Sequence, residues 1–193
     1  MKKLIVLSFL FTVISVTSLL QAQDLKEFNQ ERLQINKIGM ITLGSWALGN
    51  IAINGLLAGN ATGSNKYFYQ GNIYWNLVNF GLAGFAYYAS TTSDPAAFTL
   101  NESIKEFYSI QKILLFNAGL DVAYITGGFF LKERAKNVEN RQDMFTGFGN
   151  ALILQGGFLL VFDLAMYFIH NSNAGFLQNL SISQNGLGMV LHF

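Results

Sequence analysis

Charged residues are nearly absent from four long stretches of this sequence, and this spacing limits the folds open to the chain. Two stretches contain no charge, the third contains only Asp121 and the fourth only Asp163. About 20 helical residues cross the ~30 Å of hydrocarbon in a bilayer, so each stretch is long enough to span it. Strands of a membrane barrel would instead alternate in polarity over segments of about 10 residues. We therefore predict an all-α fold, an integral membrane four-helix bundle with spans at approximately 38–59, 67–91, 112–132 and 144–169.

Composition supports a membrane environment and removes several classes of function. Charged residues make up 12% of the chain and hydrophobic residues 51%, whereas soluble domains carry about 25% charged residues. The absence of cysteine excludes disulfides, zinc–thiolate sites, iron–sulfur clusters and thiol nucleophiles. The low charged content makes the lipid bilayer the expected partner. The net charge is +1 without a block of Lys or Arg, so we expect no nucleic acid as a partner.

The N-terminus has the order of a secretory signal peptide. Lys2 and Lys3 precede an apolar run over 4–20, and the small residue Ala22 follows. This order predicts a signal peptide over 1–22 and a mature chain that begins at Gln23. An uncleaved first membrane span remains the alternative interpretation of the same residues.

The basic residues predict an orientation for the bundle. The segment "KERAKNVENR" joins the third and fourth windows, and Lys66 lies in the other connection on that side. Short loops rich in Lys and Arg stay in the cytoplasm, which leaves the connection over 91–103 and both mature termini outside. A cleaved signal places the mature N-terminus on the same side. We expect a multi-pass protein of the bacterial cell membrane, the inner membrane, with periplasmic termini.

Segments outside the windows have their own patterns. Residues 24–37 mix apolar and charged positions at helical spacing, which predicts an amphipathic lead-in to the first span. Thr99 and Glu102 have capping-box spacing, so the third helix should begin before the membrane. Residues 187–193 alternate in polarity, which predicts a short extended strand or hairpin within an external tail over 171–193.

Polar residues recur at helical spacing inside every predicted span. Such residues face the bundle interior, because lipid cannot satisfy an amide or a carboxylate. Counting from the flanking charges predicts a midplane polar layer of Asn50, Asn76, Asn79, Asp121 and Gln155. The same count predicts an outer cluster of Asp163, Tyr167 and His170.

Asp121 is the residue of this layer that most needs an explanation. An ionised carboxylate at the centre of a bilayer costs about 2.5–3.5 kcal/mol, and a protonated Asp121 hydrogen-bonded to Asn side chains avoids most of that cost. Three roles remain open: a hydrogen-bonding group that joins helices, a proton or cation site, and part of a small-ligand site. His170 and His192 are the only histidines, and they make poor haem or metal ligands.

Glycines also recur in the windows, as Gly49, Gly55 with Gly59, Gly127–Gly128 and Gly156–Gly157. Small residues let transmembrane helices approach closely, so we expect these positions at helix contacts.

Catalytic motifs are missing from the sequence. It contains no phosphate-binding loop, dinucleotide fingerprint, nucleophile elbow or zinc-protease motif. Asp121 and Asp163 could in principle form a hydrolytic pair, but the depth count places them at different levels. We expect no enzymatic activity, no cofactor and no metal.

The leading hypothesis for the function is a structural or accessory role with a membrane-protein partner or a homo-oligomer. The main alternative is a minimal proton- or cation-coupled carrier or channel. A weaker alternative is a binder of a lipid- or quinone-like ligand.

Four segments together carry a resemblance to a known family. They read "FNQERLQINKIGMITLGSWALGNI", "YFYQGNIYWNLVN", "KILLFNAGLDVAYITGGFFLKER" and "GFGNALILQGGFLLVFDLAMY". In combination they resemble an uncharacterised family of exported membrane proteins from Bacteroidota, classed as a domain of unknown function. The resemblance covers nearly all of the mature chain. It implies a multi-span unit and no catalytic residues.

Overall fold

Four long helices make up the structure, a computed structural model that describes residues 2–175 and the side chains from residue 23 onward. They are α1 (Lys2–Ala58), α2 (Gly63–Thr92), α3 (Leu100–Ala135) and α4 (Gln142–Ser172), with one 3₁₀ turn at Glu139–Arg141. The all-α prediction is confirmed for the described residues, which contain no strand. The amphipathic segment 24–37 lies within α1. The predicted extended segment 187–193 lies outside the described residues.

Short connections make consecutive helices antiparallel, and the helices pack unevenly. α1 packs along α2, α3 packs along α4, and α2 against α4 joins the two pairs. The middle of α1 meets the N-terminal part of α3, where the Phe28 and Phe107 rings lie 5.9 Å apart. α2 and α3 have little direct contact apart from the Trp75 and Tyr124 rings, whose centroids are 4.7 Å apart. The weak α2–α3 contact leaves a cleft between these two helices.

Local chemistry explains where α2 and α3 begin. The Thr99 hydroxyl accepts a hydrogen bond from the Glu102 backbone N–H at 3.4 Å, and Glu102 Oε2 accepts one from the Thr99 N–H at 2.9 Å. This is the predicted capping box, which satisfies N–H groups that the helix itself cannot pair. α2 begins at Gly63, whose φ of 57° is a left-handed conformation that glycine adopts without a steric penalty.

The surface between the helix ends is apolar, and the interior contains many polar groups. Leu56, Phe85 and Val161 are 84%, 76% and 70% exposed. The central apolar core is small by comparison and consists of Leu43, Ala83, Leu114, Phe162 and Met166. A protein in water would bury the large apolar side chains first, so this distribution is consistent with a hydrocarbon surrounding.

Three helical segments of the described chain are long and apolar enough to cross a membrane: Gln23–Ala58, Leu100–Ala135 and Glu139–Ser172. The second predicted span, 67–91, belongs to α2, which is not among them. The three asparagines Asn72, Asn76 and Asn79 lower the hydropathy of α2, although its only charged residue is Lys66.

Candidate ligand-binding cleft

Gln155 is the centre of a buried amide cluster that joins three helices. The Trp46 indole N–H donates to Gln155 Oε1 at 3.0 Å. Gln155 Nε2 donates to Asn50 Oδ1 at 3.2 Å and to Asn72 Oδ1 at 2.5 Å. The Trp46 ring also stacks on Phe158 at 3.9 Å. Two residues of the predicted polar layer, Asn50 and Gln155, therefore lie in one hydrogen-bonded cluster that ties α1 and α2 to α4.

The other members of the predicted layer lie further along α2 and on α3. Asn76 is fully buried and donates from Nδ2 to the Asn72 carbonyl at 2.8 Å, while its Oδ1 has no hydrogen-bond partner. Asn79 and Asp121 are 6% and 3% exposed, and both line the cleft between α2 and α3. The structure thus divides the predicted layer into the Gln155 cluster and a separate polar group in the cleft, with Asn76 between them.

The carboxyl groups of Asp121 and Asp163 are neighbours. Both side chains line the same cavity between the helices, and they are close enough to interact with each other. Side chains on a helix tilt toward its N-terminus, so in this antiparallel pair the two carboxyls tilt toward each other. Counting residues along the chain ignores this tilt, which explains why it assigned the two acids to different depths. The depth argument against a carboxyl pair is therefore wrong.

A cavity of about 480 Å³ occupies the cleft. α2 and α3 form its walls and α4 its floor, and most of the lining is apolar or aromatic. Its polar lining residues are Asn79, Asn117, Tyr74, Trp75, Tyr124, Asp121 and Asp163. Two buried polar atoms of this lining lack a hydrogen-bond partner, Asn79 Nδ2 and Asp121 Oδ2. Buried polar atoms are paired in most folded proteins, so these two atoms mark the cleft as a candidate binding site.

The predicted outer cluster separates into different environments. Asp163 pairs with Asp121, and Tyr167 packs against the central apolar core. His170 is fully buried further out, where its Nε2 lies 2.9 Å from Asn36 Oδ1. The structure therefore does not bring Asp163, Tyr167 and His170 together as one group.

A buried arginine near His170 was missed by the sequence interpretation. Arg32 is 2% exposed, donates to Asn29 Oδ1 at 3.2 Å and lies 4.8 Å from the centre of the Phe98 ring. Asn29 in turn donates to the Ser103 hydroxyl at 2.8 Å. The surrounding "DLKEFNQER" mixes charged and apolar residues, so its pattern predicted only an amphipathic lead-in and no buried charge. The spacing of Phe28 and Arg32, at i and i+4, was the one signal that both residues share a face.

The chemistry open to the cleft follows from its carboxyl pair. Two adjacent carboxyls can exchange a proton, bind a cation or act as an acid–base pair on water. In the described part of the chain, no three His, Cys, Asp or Glu side chains come together as a set of metal ligands.

These features define a class of protein, an all-α bundle with an apolar surface and a polar interior. The chain belongs to DUF6992, a family of unknown function that matches residues 42–164, well over half of its length. The match agrees with the unknown-function part of the resemblance seen in the sequence. It includes the Gln155 cluster and both cleft carboxyls, while Arg32 and His170 lie outside it. No curated protein and no solved structure matches the chain.

Proposed function

We propose that this protein is a multi-pass membrane protein that binds a small amphiphilic molecule in the cleft between α2 and α3. One observation carries the proposal: two buried polar atoms without partners, Asn79 Nδ2 and Asp121 Oδ2, line a mainly apolar cavity of about 480 Å³. Binding pockets for small molecules have this composition, an apolar lining with a few convergent polar groups.

The polar atoms indicate what the ligand's head group offers. A buried polar atom without a partner costs about 1–3 kcal/mol, and a ligand that supplies the missing bond removes this cost. Asn79 Nδ2 is a donor and therefore requires an acceptor oxygen, whereas the Asp121 carboxylate requires a donor. The head group thus carries both kinds of atom.

The position of the cleft indicates how the ligand enters. Tyr74, Val78 and Leu82 line the cleft on α2 and are also 61%, 62% and 59% exposed. They are continuous with the apolar surface that we place in hydrocarbon. A ligand dissolved in the bilayer reaches the carboxyl pair from the side without crossing an aqueous phase. This lateral opening also favours binding over hydrolysis, because a hydrolytic site needs a supply of water.

The proposal includes α2 as a fourth span. Only four residues, 59–62, separate α1 from α2, and the two helices pack side by side. If α1 crosses the membrane, α2 must run back through it. The polar side chains that lower its hydropathy, Asn72, Asn76 and Asn79, are buried against other helices. The basic loop between α3 and α4 then lies in the cytoplasm of a bacterial inner membrane, with the mature termini outside.

The test is photolabelling of the purified protein with a dodecanol that carries a diazirine. We expect crosslinks to concentrate on cleft residues such as Tyr74 and Tyr124. Leu120→Trp fills the cleft from α3 and should lower the yield several-fold. Val122→Trp is the matched control, because Val122 lies on the same helix, is 51% exposed and does not line the cleft.

Labelling that is spread evenly over the apolar surface and unaffected by Leu120→Trp would contradict the proposal. A structural role in binding membrane partners would then become the better hypothesis.

The carboxyl pair separately favours a second candidate function, a proton- or cation-coupled carrier. Asp121→Asn should stop proton flux into liposomes if the protein is such a carrier, since an amide cannot release the proton.

A further inference from the structure

All ionisable groups that line the cleft are acids or phenols. Asp121 on α3 and Asp163 on α4 face Tyr74 of α2 and Tyr124 of α3, and α1 contributes only Leu43. The lining contains no Lys, Arg or His. The bases nearest in sequence on α3, Lys112 and Lys132, lie nine and eleven residues from Asp121, more than two helical turns away on either side. The described side chains of the cleft therefore offer no cation to either carboxyl.

The proximity of the two carboxyls limits the charge that the pair can carry. Asp121 and Asp163 line one cavity that offers them no cation. Ionised carboxylates only accept hydrogen bonds, so two neighbouring carboxyls can bond to each other only when the pair holds a proton. Two ionised carboxylates in contact would also repel each other strongly in a medium of low dielectric constant. The pair with one shared proton carries a single negative charge.

Aromatic rings line the same cavity as this charge. Trp75 and Tyr124 approach edge to face at 4.7 Å, and Tyr74 and Phe148 also line the cavity. Aromatic faces attract cations, and the attraction is strongest where water is excluded. The rings and the carboxyl pair thus favour the same sign of charge in a ligand.

We propose that the amphiphile's head group is a cation, a protonated amine held by the shared negative charge of Asp121 and Asp163 and by the surrounding rings. This inference rests on the proposed function and narrows it. The ammonium group donates to Asp121 Oδ2, an acceptor oxygen beside it receives the Asn79 Nδ2 donor, and the alkyl part lies along Val78 and Leu82. Neutral and acidic amphiphiles of the same length should bind more weakly, since they leave the charge uncompensated.

The experiment compares three probes that differ only in their head group. Bromine-tipped dodecylamine, dodecanol and dodecanoic acid are titrated into proteoliposomes, and quenching of tryptophan fluorescence is measured. Trp75 lines the cleft, whereas the only other tryptophan, Trp46, is bonded to Gln155 outside it. We expect the amine to bind on the order of tenfold more tightly than the alcohol, and the acid more weakly than either.

Two variants separate charge from shape. In Asp163→Asn, the amide N–H replaces the shared proton as the donor to Asp121, so the negative charge stays and amine affinity should remain within about threefold of wild type. The double variant Asp121→Asn with Asp163→Asn removes the charge while keeping the volume. It should bind the amine no better than the alcohol. Measuring each affinity relative to this double variant also cancels the different partitioning of the probes into lipid.

The outcomes distinguish the two proposals. If no probe quenches Trp75, the cleft binds no amphiphile and the proposed function fails together with this inference. If the alcohol binds as tightly as the amine, or if the double variant still prefers the amine, the cleft binds amphiphiles but the cationic head group is excluded. Preference for the amine in the wild type and in Asp163→Asn, lost in the double variant, supports the inference.

Discussion

At the scale of single residues, Gln155 shows how polar side chains join the helices of this protein. Its carboxamide bonds to Trp46, Asn50 and Asn72 on two other helices and is fully buried. Helices surrounded by lipid gain little from burying apolar surface, because lipid is as apolar as the helix interface. Interhelical hydrogen bonds and close packing therefore carry a larger share of the stability than in a soluble bundle.

Gln155→Leu should accordingly destabilise the bundle. Three bonds at about 0.6 kcal/mol each predict a loss of about 2 kcal/mol, because Leu keeps the volume and leaves three polar partners unpaired. Trp46→Phe removes one bond while retaining the stacking on Phe158, so its loss should be about a third as large. Reversible unfolding in mixed micelles measures both. A Gln155→Leu protein as stable as an exposed control, Leu154→Met, would contradict this account.

The sequence could identify inward-facing polar residues but not their partners. Asn76, Asn79, Asp121 and Gln155 are buried as expected, because the cost of exposing amides and carboxylates to lipid can be estimated from residue type alone. The contact between Asp121 and Asp163 depends on side-chain tilt in an antiparallel pair, which a count along one chain does not contain. Its location in a cleft depends on the separation of α2 from α3, which no local pattern encodes.

At the scale of helices, glycines on α4 set the distance to each neighbour. Gly147 faces α2, where an added Cβ would lie 2.6 Å from Tyr67 Cβ. Gly149 faces α3, where a Cβ would lie 2.7 Å from the Gly128 carbonyl oxygen and 2.9 Å from Lys132 Cγ. Positions two residues apart point about 200° apart around a helix, so α4 uses alternate glycines to contact opposite neighbours.

The sequence indicated some of these glycines and not others. Gly128 and Gly156 lie at the α3–α4 contact as expected, whereas a Cβ at Gly127 or Gly157 would meet nothing within 4 Å. Consecutive residues are 100° apart on a helix, so only one of each pair can face the partner. The glycines of α1 were also expected at contacts, but Gly49 and Gly55 have open space around them.

Gly149→Ala and Gly157→Ala form a matched pair that tests this packing. Alanine favours a helix over glycine by about 1 kcal/mol, so Gly157→Ala should leave stability unchanged or raise it slightly. Gly149→Ala should lower it by about 1–3 kcal/mol, because the new methyl group forces α3 and α4 apart against the Gly128 backbone. Thermal unfolding of the two variants in the same detergent gives the comparison. Equal stability would mean that α3 and α4 can separate without cost.

At the scale of the whole molecule, polarity is arranged oppositely to that of a soluble protein. Amides and carboxyls are buried between the helices, and large apolar side chains cover the surface between two charged ends. The basic end includes Lys66, Lys132 and Arg134. The opposite end contains buried Arg32, bonded to Asn29 and through it to Ser103, and buried His170, bonded to Asn36. The sequence predicted this arrangement from its charge-poor windows, because charge spacing reports directly on where hydrocarbon can lie.

Single-cysteine labelling tests this arrangement, since the chain has no cysteine of its own. Ala97→Cys in the α2–α3 connection should react with a membrane-impermeant maleimide on spheroplasts. Asn137→Cys, which is exposed after α3, should react only once the membrane is opened. Val161→Cys is the decisive position, because its side chain is 70% exposed and yet should stay unreactive until detergent denatures the protein. A thiolate forms only where water reaches it, so hydrocarbon around residue 161 keeps the thiol protonated and inert. Rapid reaction of Val161→Cys in intact membranes would place water against this surface, and the cleft would then have to recruit its ligand from solution.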